Sequence, residues 1–325
     1  MIYTIENDYL KAQVSSLGAT LMSLIDKESG TDLVLGFDKE TDYLKYSDAH
    51  LGATVGRNAN RIANGRFTIS AQEYQLTINN GPNSLHSSSA DTAFRTWEIR
   101  ERNKDFITFC LFDRAGNGGF PGNMDVSTSY RLKENTLEIK FNGSCDEDTI
   151  FNFTNHSYFN LDGGTKDILD HELKVNTDRF ALNDDDTMAT DKIYPVDGTA
   201  FDFREFHKIK DNLSISSFNL SAGGIDHNFV FETLAEKELC QLRNDEFCLK
   251  VTSDLPGLQL YSSNFLGDII GKNGMEYHKF HGLAIEPQYY PNGINYQGLL
   301  KPILKKGEKV SHFIRYTIEK RKDNE

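Results

Sequence analysis

Residues 136–142 read TLEIKFN. In an extended chain Leu137, Ile139 and Phe141 fall on one side, and Thr136, Glu138 and Lys140 on the other. That is the period-two signature of a half-buried strand. The same texture recurs at 66–78, 105–113, 126–132, 247–252, 257–265 and 309–318, the last alternating Val310, His312, Ile314, Tyr316 and Ile318. Turn signals separate these runs: Asn80-Gly81-Pro82, Gly118-Gly119, Pro121-Gly122, Gly163-Gly164, Gly223-Gly224 and Pro291-Asn292-Gly293. Helical patterns are few and short, with 37–47 and 232–239 as candidates. Many short strands, with turn chemistry about every ten residues, predict an all-β fold, a large antiparallel β-sandwich with few short helices. No repeat, linker or composition shift marks a boundary, so residues 1–325 read as a single domain.

Composition narrows the function classes. The 325 residues carry 48 acidic and 35 basic side chains, for a net charge of −13. An acidic chain argues against nucleic acid or an anionic membrane surface as partner, since both select a basic face. No apolar run approaches the roughly 18–20 residues a membrane helix needs. The N-terminal MIYTIENDYLKAQV lacks the charged and apolar regions of a secretory signal. Cys110, Cys145, Cys240 and Cys248 form no CxxC pair and read as reduced thiols, which fits a cytoplasmic setting. His278 and His281 are three apart but stand in no zinc-ligand pattern.

Polar residues collect in clusters set among aromatics: 51–66 (LGATVGRNANRIANGR), 82–86 (PNSLH), 151–161 (FNFTNHSYFNL), 225–229 (IDHNF), 257–265 and 283–292 (LAIEPQYYPN). Amides, Arg, carboxylates and aromatics together suit a sugar, whose hydroxyls need directed donors and acceptors while its apolar faces stack on rings. Buried polar networks at strand ends give a similar composition, so the clusters alone do not decide.

Their order does. GRNANRIANGRF at 56–67, NSLH at 83–86, GFPG at 119–122, TNHSYFNL at 154–161, DGTAFDFR at 197–204, DHNF at 226–229, PGLQLYSSNF at 256–265 and IEPQYYPN at 285–292 resemble the aldose 1-epimerase (galactose mutarotase) family, over roughly residues 5–318. The resemblance implies a galactose mutarotase-like supersandwich with an open cleft on one sheet face. It implies interconversion of the α and β anomers of free aldohexoses, galactose and glucose foremost, with no cofactor and no metal.

It also implies roles. Mutarotation breaks the C1–O5 bond of a hemiacetal and remakes it from the other face, so a base must take the O1 proton and an acid must protonate O5. Glu286 falls on the base position, and His156 on the acid position, where an imidazole can hold and release a proton near neutrality. His86 matches a second active-site histidine that bonds the ring oxygen and assists the acid. Asn60, Arg61, Asp226 and Gln259 match the substrate-binding positions, with Asn155 and Tyr158 orienting the ring or the sugar. Arg57 and Arg66 are expected to pair with carboxylates structurally, and His227 to be structural.

The chain departs from the family pattern at Ser87-Ser88-Ser89, where glycines are usual, and at DTAFRT before Trp97. These departures put the shape of that loop in doubt. Three other readings use the same residues: a hexose 6-phosphate epimerase exploiting Arg57, Arg61 and Arg66; a sugar sensor without turnover; and a glycosidase with Asp226 and Glu286 as paired carboxylates, which needs them about 5–5.5 Å or 6.5–9.5 Å apart.

Overall fold

The computed structural model describes residues 1–184, 186–215, 222–267 and 269–321. It is built mainly of strands. Nine form one antiparallel sheet, in the spatial order His207–Lys208, Glu172–Val175, Lys237–Arg243, Phe247–Ser253, Lys309–Lys320, Thr136–Cys145, Met124–Lys133, Phe106–Asp113 and Glu98–Arg102. Six form a second: Tyr158–Phe159, Leu283–Gln288, Gly257–Tyr261, Asp226–Val230, Arg179–Asn183 and Ala189–Pro195. Ile2–Glu6, Leu10–Ser15 and Thr20–Asp26 make a three-stranded sheet.

The opening alternation holds. Leu137, Ile139 and Phe141 are buried, while Thr136, Glu138 and Lys140 are half-buried or exposed. Along Lys309–Lys320, His312, Ile314, Tyr316 and Ile318 are buried in the same rhythm. The apolar side chains among them meet Phe180, Phe229, Leu258, Leu260, Leu283 and Ile285 of the six-stranded sheet in one apolar core. The Tyr316 hydroxyl donates to the Ile285 carbonyl across that core at 3.2 Å, and its ring packs 4.7 Å from Phe159. Two antiparallel sheets closed over one core are a β-sandwich.

Local readings differ in three places. The 37–47 pattern yields a helix only over Glu40–Lys45, followed by a 3-10 turn at Ser47–Ala49. The helix expected at 232–239 does not form. From Lys237 the chain enters a hairpin, turned by Asn244, whose Oδ1 accepts from the backbone N–H of Glu246 and Phe247. Pairing with Phe247–Ser253 buries Leu239 and Leu242, and this tertiary gain overrides local helix propensity. The run at 66–78 is a tight hairpin, Arg66–Ile69 against Gln72–Gln75, turned by Ser70 and Ala71. Both turn residues have positive φ, as the favoured two-residue hairpin turn requires.

Arg57 is structural, as expected. It is fully buried, with Nε donating to Asp113 Oδ2 at 2.6 Å and its remaining nitrogens reaching the carbonyls of Asp113, Pro121 and Gly122. Arg66 differs from its expectation. It lies exposed at a hairpin edge, and its partner is the amide oxygen of Gln75 at 2.7 Å, not a carboxylate. Replacing Arg57 by Met should lower unfolding free energy by about 3 kcal/mol in urea titration, because Asp113 stays buried with a charge partner removed. A loss below about 1 kcal/mol would contradict that reading.

Candidate active site

The six-stranded sheet presents one face to the core and the other to a cavity of about 680 Å³. Alternation decides which side chains go where. Leu258, Leu260 and Ile285 point inward, so Gln259, Tyr261 and Glu286 point outward. Register then brings them together: Gln259 lies opposite Glu286 in the neighbouring strand, and Asp226 opposite Tyr261. Eight of the nine residues expected from the sequence line this one cavity: Asn60, Arg61, His86, His156, Tyr158, Asp226, Gln259 and Glu286. A larger groove of about 840 Å³ runs along the nine-stranded sheet, but among the described residues its wall holds no histidine.

His156 enters from a separate segment. Its backbone N–H donates to Ala53 and its carbonyl accepts from Gly52, each at 2.9 Å. Gly52 has φ +67°, and a Cβ there would lie 2.0 Å from the Leu21 carbonyl oxygen, so this support tolerates only glycine. Asn155 faces away from the cavity, contrary to expectation. Its amide nitrogen donates to the Gly52 carbonyl at 2.9 Å, and its oxygen accepts from Ser157. It therefore braces the loop under His156 and does not orient a sugar.

His156 Nε2 stands 3.5 Å from Glu286 Oε1. Both side chains are nearly wholly buried, and Glu286 Oε2 and His156 Nδ1 have no hydrogen-bond partner. Burial, with the Asp226 charge added, pushes the Glu286 carboxyl well above its ordinary range, against the opposing pull of Arg61. Burial, with the His50 charge added, pulls His156 down to about 3. Both shifts favour a proton of the pair resting on Glu286 over one resting on His156. The titrations belong to the pair and not to either residue.

His86 Nδ1 accepts from the Asn60 backbone N–H at 3.2 Å, which leaves Nε2 toward the cavity. Burial first, then the nearby His50 and Arg61 charges, pulls this imidazole well below its usual range. The Ser87-Ser88-Ser89 loop is tightly built. His86, Ser87 and Ser88 all have positive φ, and Ser87 Oγ accepts from the Asn58 N–H at 2.8 Å. Three consecutive left-handed non-glycine residues beside a cavity are stored strain at a site. Trp97 is buried, and its indole N–H donates to Thr92.

The remaining polar wall is pre-organised. Gln259 Nε2 donates to Asp226 Oδ1 at 2.6 Å, and Arg61 Nε donates to Asn80 Oδ1 at 3.0 Å. The Asn60 side chain folds back to accept from the Arg61 N–H at 2.7 Å. Tyr158 packs 5.1 Å from His156 and 6.0 Å from Tyr261. His227 is buried against Phe201 at 4.1 Å, and His281 is spent on backbone partners, so both are structural. Sequence reasoning missed His50, Asp91 and Tyr261. His50 carried no signal beyond its nearness to the 51–66 cluster.

Among the described residues no helix is long and apolar enough to cross a membrane. A carboxylate and two imidazoles meeting on one sheet face of a β-sandwich define a class, proteins that move protons at a bound polar molecule. Comparison with known proteins gives the family. The aldose 1-epimerase family model matches residues 1–317. The galactose mutarotase of Sus scrofa is 36% identical over 318 residues, covering 95% of this chain and 91% of that one. The aldose 1-epimerase of Haemophilus influenzae is 33% identical over 303 residues, covering 91% and 88%. A crystal structure of an aldose epimerase homologue from C. elegans superposes with a TM-score of 0.92 at 31% identity, covering 99% of both chains. The chain belongs to the aldose 1-epimerase family and is an isomerase.

Proposed function

We propose that this protein is a mutarotase of free aldohexoses, galactose and glucose foremost, with Glu286 as base and His156, assisted by His86, as acid. The observation that carries the proposal is the 3.5 Å approach of a buried carboxylate and a buried imidazole in a sugar-sized cavity. A bound pyranose donates O1–H to Glu286 and accepts at O5 from an imidazole. Both contacts favour the form with carboxylate ionised and imidazole charged. The proton leaves O1 for Glu286 as another passes from histidine to O5, and C1–O5 opens. After rotation about C1–C2 the two transfers reverse on the other face. The pair returns with its single proton, so the cycle balances without a further reactant. Asp226, Gln259, Arg61 and Asn60 supply directed hydrogen bonds to hydroxyls, and Tyr158 an apolar wall.

A phosphorylated hexose fits less well. Arg57 and Arg66 point elsewhere, which leaves Lys45 and Arg61 against Asp48, Asp226 and Glu286 in the cavity wall. Polarimetry on freshly dissolved α-galactose tests the proposal: the enzyme should accelerate the approach to equilibrium, and glucose 6-phosphate should gain far less. An unchanged rate on galactose and glucose would reduce the protein to a sugar binder.

The pH profile has a defined shape. Only the singly protonated pair is productive. Thus kcat/KM should fall toward acid, where the pair takes a second proton, and toward alkali, where it loses its only one. Because burial raises Glu286, the alkaline limb should lie above the ordinary carboxyl range. A single rise near pH 4–5 with no alkaline limb, the behaviour of one free carboxylate, would refute the shared-proton arrangement.

A further inference from the structure

Beside the acid–base pair lies a third imidazole that the reaction as described does not use. His50 follows the Ser47–Ala49 turn in the left-handed conformation, φ 50°, and lines the same cavity. Its Nε2 lies 2.7 Å from Asp91 Oδ2, and its Nδ1 faces the Asp48 carbonyl oxygen at 3.3 Å. Asp91 is itself buried and fixed, since its other oxygen accepts from the Ala93 N–H at 2.9 Å. The ring packs 4.9 Å from His86, 5.2 Å from Phe94 and 5.9 Å from His156.

We infer that His50, clamped between Asp91 and the Asp48 carbonyl, is a positioning residue: a fixed imidazolium that keeps His86 and His156 uncharged until sugar binds. This rests on the proposed acid–base reading of the site. Two acceptors flank the two ring nitrogens, so a ring that satisfies both as a donor carries both protons and a positive charge. With both N–H groups spent on protein, His50 offers nothing to a sugar hydroxyl and acts through its charge. Burial opposes that charge, but the Asp91 carboxylate and its hydrogen bond outweigh burial and hold His50 above its usual range. The other groups facing the cluster are the Asp48 carboxylate, which adds to the pull on His50, Arg61, which adds to the field on His86, Glu286, which faces His156, and Lys45 at the rim. Burial raises the Asp91 carboxyl, and His50 opposes that rise.

The consequence is a stronger acid. A cation roughly 5–6 Å away weakens proton binding by His156 and His86, so a proton placed there passes more readily to O5. It also delays the second protonation that would silence the pair at low pH.

Two measurements on the full chain test this. In protein carrying 15N-labelled histidine, an imidazole signal that stays cationic to higher pH than free imidazole and is still cationic at pH 7 should be present, and it should vanish in His50→Gln. In polarimetry, His50→Gln and Asp91→Asn should each move both limbs of the kcat/KM profile to higher pH, by about one unit. Wild-type spectra with His50 neutral at pH 7, as in a pair where protonated Asp91 donates to Nε2, would overturn the inference. So would two variants that lose rate uniformly with unmoved limbs, the mark of a purely structural contact. The charge on His50 is read in wild-type protein, so a failure of the Glu286 assignment would appear separately.

Discussion

Glu286→Gln should lower kcat by about 10⁴ while sugar affinity changes little, because the amide keeps shape and hydrogen bonding and removes basicity. The carboxylate is 2% exposed and one of its oxygens has no hydrogen-bond partner, so that oxygen is free to take a proton. Asp226 is the only other carboxylate on the same sheet face of the cavity wall among the described residues, and it is held by Gln259 at 2.6 Å. The amide cannot ionise, so the variant escapes the penalty that burial places on an ionised Glu286 and should unfold no more easily than wild type in urea. Retention of activity within about tenfold, with unchanged fold, would take Glu286 out of the base role.

The second large effect is at His156. His156→Asn should cost about 10³ in kcat, somewhat less than loss of the base. The difference comes from His86, whose ring centroid lies 5.4 Å from that of His156 and whose Nε2 also faces the cavity. A sugar can still accept a hydrogen bond at O5 from His86 when His156 is gone. His86→Gln alone should therefore be milder than His156→Asn, and the two changes together should be more than additive, since each removes the other's substitute. If His86→Gln were the more damaging change, the order of acid and assistant would reverse.

The sandwich was legible because its cause is local. A strand buried on one side must alternate, and TLEIKFN and VSHFIRYTI alternate over almost their whole lengths. The misread elements are those whose cause lies elsewhere in the chain. Lys237–Arg243 is a strand because a partner strand is waiting at Phe247–Ser253, which no window on 232–239 contains. The Ser70-Ala71 turn lacks the Asn or Gly that usually announces positive φ, so its hairpin read as one longer strand.

The site shows the same division. The eight cavity residues could be placed from their motifs, and alternation alone explains why Gln259 and Glu286 face the same way. What motifs did not carry was the supporting layer. Asn155, in the middle of TNHSYFNL, serves Gly52 and not the sugar. His50 and Asp91 are 41 residues apart and meet only because the chain reverses between them. Arg66 was expected to pair with a carboxylate, but its hairpin edge offers an amide. Each of these depends on cross-strand or loop geometry that a linear pattern does not encode.

The most direct measurement is a crystal structure with galactose in the cavity. The ring should sit with O1 about 2.6–3.2 Å from a Glu286 oxygen and O5 at similar distance from His156 or His86. A pyranose bound with its anomeric carbon turned away from Glu286 and both imidazoles, or bound only outside this cavity, would contradict the account.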